Sequence, residues 1–337
     1  MKRFCLFLLL PILLCACGST QTLSDTNLFA MDTVITLRLP ENTPADIISA
    51  ASARITGLER LLSRTDPQSE ICRFNTGAED TMTVSDDTAA VLRCALEAAA
   101  ATDGAYDPTT APLTVCWDIT SETPSVPSEE TIAEARTRVS YTRLSLDGQT
   151  LVRSQQTTQL DLGGCAKGYA CGETVELLRA SGVTWGIVSF GGNIGILGQK
   201  PDRTPWRIAI RNPADPTSNA GYLSLTDGYV SVSGDYERYF EEDGIRYHHI
   251  LDTKTGYPAD SGVNAVVVWS RDAALADALS TALFVMGAAD GMAFREQGQF
   301  DFEALWYCTD GTVAITPGLA ASYEHTAPQY LYTATTE

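Results

Sequence analysis

Histidine is scarce in this chain. There are three in 337 residues, and two of them, His248 and His249, are adjacent. Imidazole is the usual proton carrier near neutral pH, so that chemistry is confined almost wholly to one segment. Basic residues are also short, with 23 Lys and Arg against 42 Asp and Glu, for a net charge of −19. A surface this acidic excludes recognition of nucleic acid through its phosphates, which needs basic patches. An anionic ligand would have to be held locally, by helix N-termini, a metal ion or a few placed cations. No C-x-x-C pair is present, which excludes the common zinc frameworks. The Gly-Lys-Ser/Thr ending of a P-loop is missing too. There is no internal repeat and no obvious linker.

What is there begins with a leader. Lys2 and Arg3 precede an apolar run, Phe4 to Leu14, that is too short to span a bilayer as a permanent helix and reads as a secretory signal. It ends in Leu14-Cys15-Ala16-Cys17. That ending is similar to a bacterial lipobox, whose last Cys becomes the lipid-bearing first residue; an ordinary cleaved signal is the alternative. The expectation is a lipoprotein signal over 1–16, a tether over 17–27 and one domain over 28–337, extracytoplasmic and held to the membrane through Cys17. Six cysteines lie beyond the leader: Cys72, Cys94, Cys116, Cys165, Cys171 and Cys308. They read as buried small apolar residues, with any pairing left open.

Residue patterns predict a mixed α/β domain. Thr33–Leu39 is a β-rich strand, and Ala45–Leu62 repeats apolar residues at helical spacing. Ser85-Asp86-Asp87 starts a second helix that should stop near Gly104. A loop over 120–130 leads to a short helix near 129–137, then to strands at 143–147, 150–154 and 158–162. Further strands are expected at 185–190, 206–211, 221–225, 228–232 and 263–269. Ala273–Met286 is apolar on most faces and should be a buried helix.

Three constellations carry chemistry. In Leu160–Ala170 a strand end, the acid Asp161, the turn Gly163-Gly164 and a helix starting near Lys167 form a possible anion cradle. Plain turn chemistry is the alternative there. On the apolar 273–286 segment, Asp277 and Thr281 are four residues apart and share a helix face. A buried carboxylate is costly unless it is paired or holds a metal, and a carboxylate with a hydroxyl suits hard Mg²⁺. Local hydrogen bonding would be the plainer explanation. The third is Tyr247–Pro258, where strand alternation sends His248 and His249 to opposite faces.

The order of these segments resembles the ApbE family, the FAD:protein FMN transferases. The resemblance runs from about Phe29 to Gly287. It is carried by Ala30-Met31-Asp32-Thr33, Ser69-Glu70-Ile71 with Asn75, Asp103–Pro108, Asp161–Ala170, Gly191-Gly192-Asn193-Ile194, Ser233–Arg238, His249–Pro258 and Ala276–Thr281. The resemblance implies an enzyme that binds FAD with Mg²⁺. It moves the FMN half onto a Ser or Thr hydroxyl of an acceptor protein and releases AMP. Met31, Ala105, Tyr106, Asp107, Asp161, Lys167 and Ile250 would contact FAD. Asp277, Thr281 and the Gly164 carbonyl would hold Mg²⁺, and His249 would be catalytic. The acceptor it implies is another chain, a respiratory complex subunit or an extracytoplasmic electron-transfer flavoprotein. The chain departs from the family at Thr65, where relatives often carry Tyr, and at Asp118-Ile119 after Cys116-Trp117. Two other readings of the same site are hydrolysis of FAD to FMN and AMP by water, and a lipoprotein that binds flavin without turnover.

Overall fold

The computed structural model describes residues 22–333, so the 1–16 signal and the lipidation site Cys17 lie outside the described residues. β1 (Leu23–Ala30) and β2 (Thr33–Pro40) form an antiparallel hairpin. Its two turn residues, Met31 and Asp32, both have positive φ, 52° and 57°, as a two-residue hairpin turn matched to strand twist requires. This corrects the tether expected over 17–27, since residues 23–27 are strand. Their exposed side chains read as linker, but the strand is held from the other edge by β2.

The helices α1 (Ala45–Leu62) and α2 (Glu70–Thr76), the strand β3 (Thr81–Thr83) and α3 (Asp86–Ala101) follow. Ser69 and Ser85 accept the N–H groups of Cys72 and Thr88 and so cap α2 and α3. α4 (Ala111–Trp117), α5 (Glu129–Arg136), β4 (Leu144–Asp147) and β5 (Thr150–Arg153) come next. The strand expected over 158–162 does not form. Asn75 takes the place of a partner strand there: its Nδ2 donates to Leu160 O at 2.8 Å and its Oδ1 accepts from Leu160 N at 2.7 Å.

α6 (Ala166–Ala180) leads into β6 (Gly186–Phe190), β7 (Asn193–Leu197), β8 (Trp206–Asn212), β9 (Asp215–Leu225) and β10 (Gly228–Gly234). A second hairpin, β11 (Tyr239–Glu242) and β12 (Ile245–His248), precedes β13 (Val263–Ser270) and α7 (Ala273–Glu296). β14 (Phe302–Cys308), β15 (Val313–Ile315), α8 (Pro317–Ala320) and β16 (Tyr323–His325) complete the described chain.

The frame is an eight-stranded antiparallel sheet ordered β1-β2-β6-β7-β10-β13-β14-β15. β13 reads Val-Asn-Ala-Val-Val-Val-Trp-Ser and is buried on both faces, which is why its apolar residues do not alternate. One face packs on α1, α6 and α7 through residues such as Ile35, Leu37, Ile55 and Phe190. The opposite face is covered by the β16-β9-β8 sheet through Ile196, Ile208, Leu223 and Val267. A small β3-β5-β4 sheet with α2 and α3 lies beside the helical layer.

α7 is long and apolar enough to cross a membrane by length and composition alone. In the fold it is a core helix packed against α6, β10 and β13. Each fully buried Leu or Phe on it, such as Leu279 and Phe284, contributes about 1.5–3 kcal/mol. Gly287, at φ 82° and ψ 172°, breaks its geometry one residue past the expected helix end at Met286.

Candidate active site

The site forms where α6 begins against the first turns of α7. Gly168 makes this approach possible: a Cβ there would sit 2.2 Å from Ala273 O and 2.6 Å from Asp277 Cβ. With no side chain in the way, Gly168 N–H donates to Asp277 Oδ2 at 2.8 Å. Two strands supply the rest. Asn193 at the start of β7 donates through Nδ2 to Asp277 Oδ1 at 3.1 Å, and Ser231 of β10 donates to the same oxygen at 3.3 Å. Asp277 is 5% exposed and its three donors are all neutral. It is therefore a buried carboxylate whose charge its hydrogen-bond donors do not cancel. Thr281, half-buried one turn along, lies on the same side: its Oγ1 is 3.5 Å from where a Cβ on Gly164 would stand. Asp277 and Thr281 thus sit one turn apart on α7, with Thr281 against the Gly163-Gly164 turn and Asp277 against Gly168 in the first turn of α6.

No side chain caps α6 at Cys165, so its N-terminal dipole is left to neighbouring or bound groups. Lys167 curls back to donate to Gly163 O at 2.5 Å. Asp161 accepts from Gly163 N–H at 2.9 Å and pairs with Arg64 at 3.3 Å, so the acid that precedes the turn also shapes it.

The two histidines separate, but not by strand alternation: β12 ends at His248, and His249 lies in the bend that follows. His248 is 7% exposed and packs edge-on against Phe284. Its Nε2 donates to Ala259 O at 3.1 Å and its Nδ1 accepts from Ile250 N–H at 3.3 Å, so neither nitrogen is free. Burial lowers its pKa. His249 follows with its backbone N–H on Arg238 O at 3.0 Å and its Nδ1 3.3 Å from that same oxygen. A carbonyl only accepts, so Nδ1 carries the proton and the Nε2 lone pair is left free. The residue keeps contact with solvent. Desolvation by the surrounding protein, then the charges of Arg238 and Lys167, push its pKa down to about 3. Arg238 also donates to Asp32 O at 3.2 Å, which joins the Met31-Asp32 turn to the histidine segment. Met31 itself is half-buried, its N–H on Glu59 Oε1 at 2.6 Å.

A family model described as the ApbE family matches residues 31–306. The chain belongs to the ApbE family. The FAD:protein FMN transferase of Treponema pallidum is 30% identical over 348 residues, covering 95% of this chain and 96% of that one. Its counterpart in Vibrio cholerae is 34% identical over 267 residues, covering 76% of this chain and 80% of that one. Among solved structures, the ApbE protein of Thermotoga maritima aligns with a TM-score of 0.82 at 32% identity, covering 89% of this chain and 99% of that one.

In this ApbE chain the remaining expected site residues are placed unevenly. Ala105 lines a cavity of about 410 Å³ with Thr102, Asp252 and Met286. The Tyr106 side chain is enclosed beneath the glycine turn, since a Cβ on Gly164 would lie 2.9 Å from its Cε2, and its hydroxyl donates to Cys165 Sγ at 3.0 Å. The Asp107 carboxylate is already used: it accepts from Thr109 N–H at 2.8 Å, Thr109 Oγ1 at 2.6 Å and Tyr141 N–H at 2.8 Å. Burial raises its pKa against those bonds. The Ile250 side chain faces the core with Leu279 and Phe284. These three shape the wall, and their side chains are not poised to reach a ligand. Sequence reading gave no role to Asn193, Ser231, Arg64 or Arg238. Asn193 and Arg238 sit in segments the motif order had marked, Ser231 lies in the expected strand two residues before one, and Arg64 had no signal at all. The six cysteines beyond the leader are all free.

Proposed function

We infer that this chain is an FAD:protein FMN transferase, which moves FMN from FAD onto a Ser or Thr hydroxyl of an acceptor protein and releases AMP. The observation that carries the reading is the hydrogen bond from His249 Nδ1 to Arg238 O, which leaves Nε2 free on a residue close enough to Lys167, in the first turn of α6, for that charge to act on it. In this reaction the acceptor oxygen bonds to the FMN phosphorus, the bond from that phosphorus to AMP breaks, and the hydroxyl proton passes to His249 Nε2. At neutral pH the ring is uncharged and ready to accept it. The negative pyrophosphate of bound FAD opposes the charges of Arg238 and Lys167, so substrate raises the proton affinity of His249 when it is needed. Met31, Ala105, Asp161 and Lys167 are our candidates for direct FAD contact, with Tyr106, Asp107 and Ile250 acting through the shape they impose.

The donor set fits Mg²⁺. Asp277 brings one carboxylate, Thr281 a hydroxyl and Gly164 a backbone carbonyl, all hard oxygens. Among the described residues no group of three or more His, Cys, Asp or Glu side chains gathers to hold a metal. Mg²⁺ keeps several waters and takes substrate phosphates, so one or two protein carboxylates suffice. When bound, it would neutralise charge on the phosphates as a Lewis acid.

We further propose that the enzyme is extracytoplasmic and membrane-anchored through a lipid on Cys17, on the composition of residues 1–19. Its acceptor is then a separate chain on that side, a respiratory subunit or an electron-transfer flavoprotein. A Cys17→Ser protein should leave the membrane fraction; retention there would refute the anchor. The transfer itself is tested with enzyme, FAD, Mg²⁺ and a candidate acceptor, read by intact mass. One FMN on a Ser or Thr for each AMP supports the reading. AMP released equally fast without acceptor would make the protein a hydrolase. Stoichiometric FAD binding with no AMP from any acceptor would make it a carrier.

A further inference from the structure

Asn193 and Ser231 are register partners on adjacent strands, β7 and β10. Both are buried, at 4% and 1% exposure, and both turn to the helical face of the sheet. There they meet one oxygen, Asp277 Oδ1, from 3.1 and 3.3 Å. An ionised carboxylate only accepts, so the Asn193 amide must present its NH₂ and Ser231 must give its only proton. Further hydroxyls pack behind it: Ser280 Oγ is 3.1 Å from Ser231 Oγ and Ser233 Oγ is 2.8 Å from Ser280 Oγ. Ser280 gives its own proton to Asp277 O at 2.8 Å, so its oxygen is left to accept from Ser233.

A carboxylate offers about four lone-pair positions. Asn193 and Ser231 take both on Oδ1, and Gly168 N–H takes one on Oδ2 at 2.8 Å. One position is left. Ca²⁺ collects six to eight oxygens and commonly takes carboxylates through both, whereas Mg²⁺ is satisfied by one oxygen in an octahedral shell with waters and phosphates.

We propose that Asn193 and Ser231, backed by Ser280 and Ser233, are positioning residues that restrict Asp277 to a single metal-binding oxygen and thereby select Mg²⁺ over Ca²⁺. The inference rests on the metal reading given above. It assigns a purpose to the Gly191-Gly192-Asn193 segment, whose turn delivers the amide to the carboxylate.

The test is metal binding to the full-length enzyme without turnover. Mn²⁺ is titrated in the presence of ADP as the diphosphate probe, free Mn²⁺ is read by electron paramagnetic resonance, and Mg²⁺ or Ca²⁺ is added as competitor. Wild type should release Mn²⁺ to Mg²⁺ far more readily than to Ca²⁺. Asn193→Leu fills the space without a donor and Ser231→Ala removes one hydroxyl. Each should lower the Mg²⁺-over-Ca²⁺ preference by about tenfold, within the range that outer partners of metal ligands usually control. A merely structural role would weaken both ions alike and leave the ratio in place. If the ratio in folded variants stays within about twofold of wild type, the inference fails while the metal site stands. If wild type with ADP binds no Mn²⁺, the metal reading itself fails and takes the inference with it. Should Asn193→Leu not fold, the smaller Ser231→Ala change carries the comparison.

Discussion

Gly168→Ala is the sharpest probe of how the site is built. The added methyl would stand 2.2 Å from Ala273 O and 2.6 Å from Asp277 Cβ. Neither atom is the tip of a flexible side chain, so α6 and α7 must part by roughly 1 Å to reach ordinary contact. Overpacking of this kind costs about 1–3 kcal/mol. The same movement stretches Gly168 N–H to Asp277 Oδ2, now 2.8 Å, beyond hydrogen-bond range. Loss of a bond to a charged acceptor costs about 1.5–3 kcal/mol more. Alanine returns about 1 kcal/mol of helix propensity. The net is about 1.5–5 kcal/mol, a fall in Tm of about 2–8 °C for a domain of roughly 300 residues. Transfer of FMN at 25 °C, where the variant remains folded, should fall further than stability does, because Asp277 moves. Gly172→Ala is the control: its Cβ would lie 3.0 Å from Ala273 Cβ alone, and a small adjustment accommodates it. Thermal unfolding by circular dichroism and single-turnover transfer, run on both variants, decide the matter. A Gly168→Ala protein that melts within about 1 °C of wild type and transfers normally would show that this helix contact does not position the carboxylate.

Three further outcomes are expected. His249→Ala should keep FAD binding and lose about 10²–10⁴-fold in the single-turnover transfer rate; a normal rate would remove the histidine from the chemistry. Asp277→Asn should abolish the Mg²⁺ dependence of both the rate and the Tm measured with ADP present, and a variant that keeps either retires the metal assignment. His248 has a lowered folded pKa. Above its unfolded value of about 6.5 both states are neutral and it has no effect. As pH falls below 6.5 the unfolded state takes the proton first, so stability drops with acid. Urea titrations from pH 7 to 5 should therefore show a shallower loss in His248→Asn than in wild type, and equal slopes would contradict the buried, doubly bonded ring.

Much of the site was legible in local spacing. Four-residue separation put Asp277 and Thr281 on one face of α7, and the apolar pattern stopped one residue before Gly287 breaks that helix. Each of these depends only on the geometry of one element, which a sequence determines by itself. The order of motifs was enough to identify the family. Tertiary structure decided the partners. Asn193 and Ser231 lie 84 and 46 residues from Asp277, and nothing local says that β7 and β10 will bring them to one oxygen. The Arg238 carbonyl that selects the His249 tautomer comes from the connection into the β11–β12 hairpin, eleven residues away. Asp107 looked free for a ligand until Tyr141, 34 residues on, was found on its carboxylate. Residues 158–162 carried strand residues, yet the Asn75 side chain took the backbone groups a neighbouring strand would have used. The histidine scarcity that narrowed the chemistry to one segment was a property of composition. Which histidine has a free nitrogen, and which charges surround it, depended on hydrogen bonds between elements distant in the chain, and only the folded arrangement sets those.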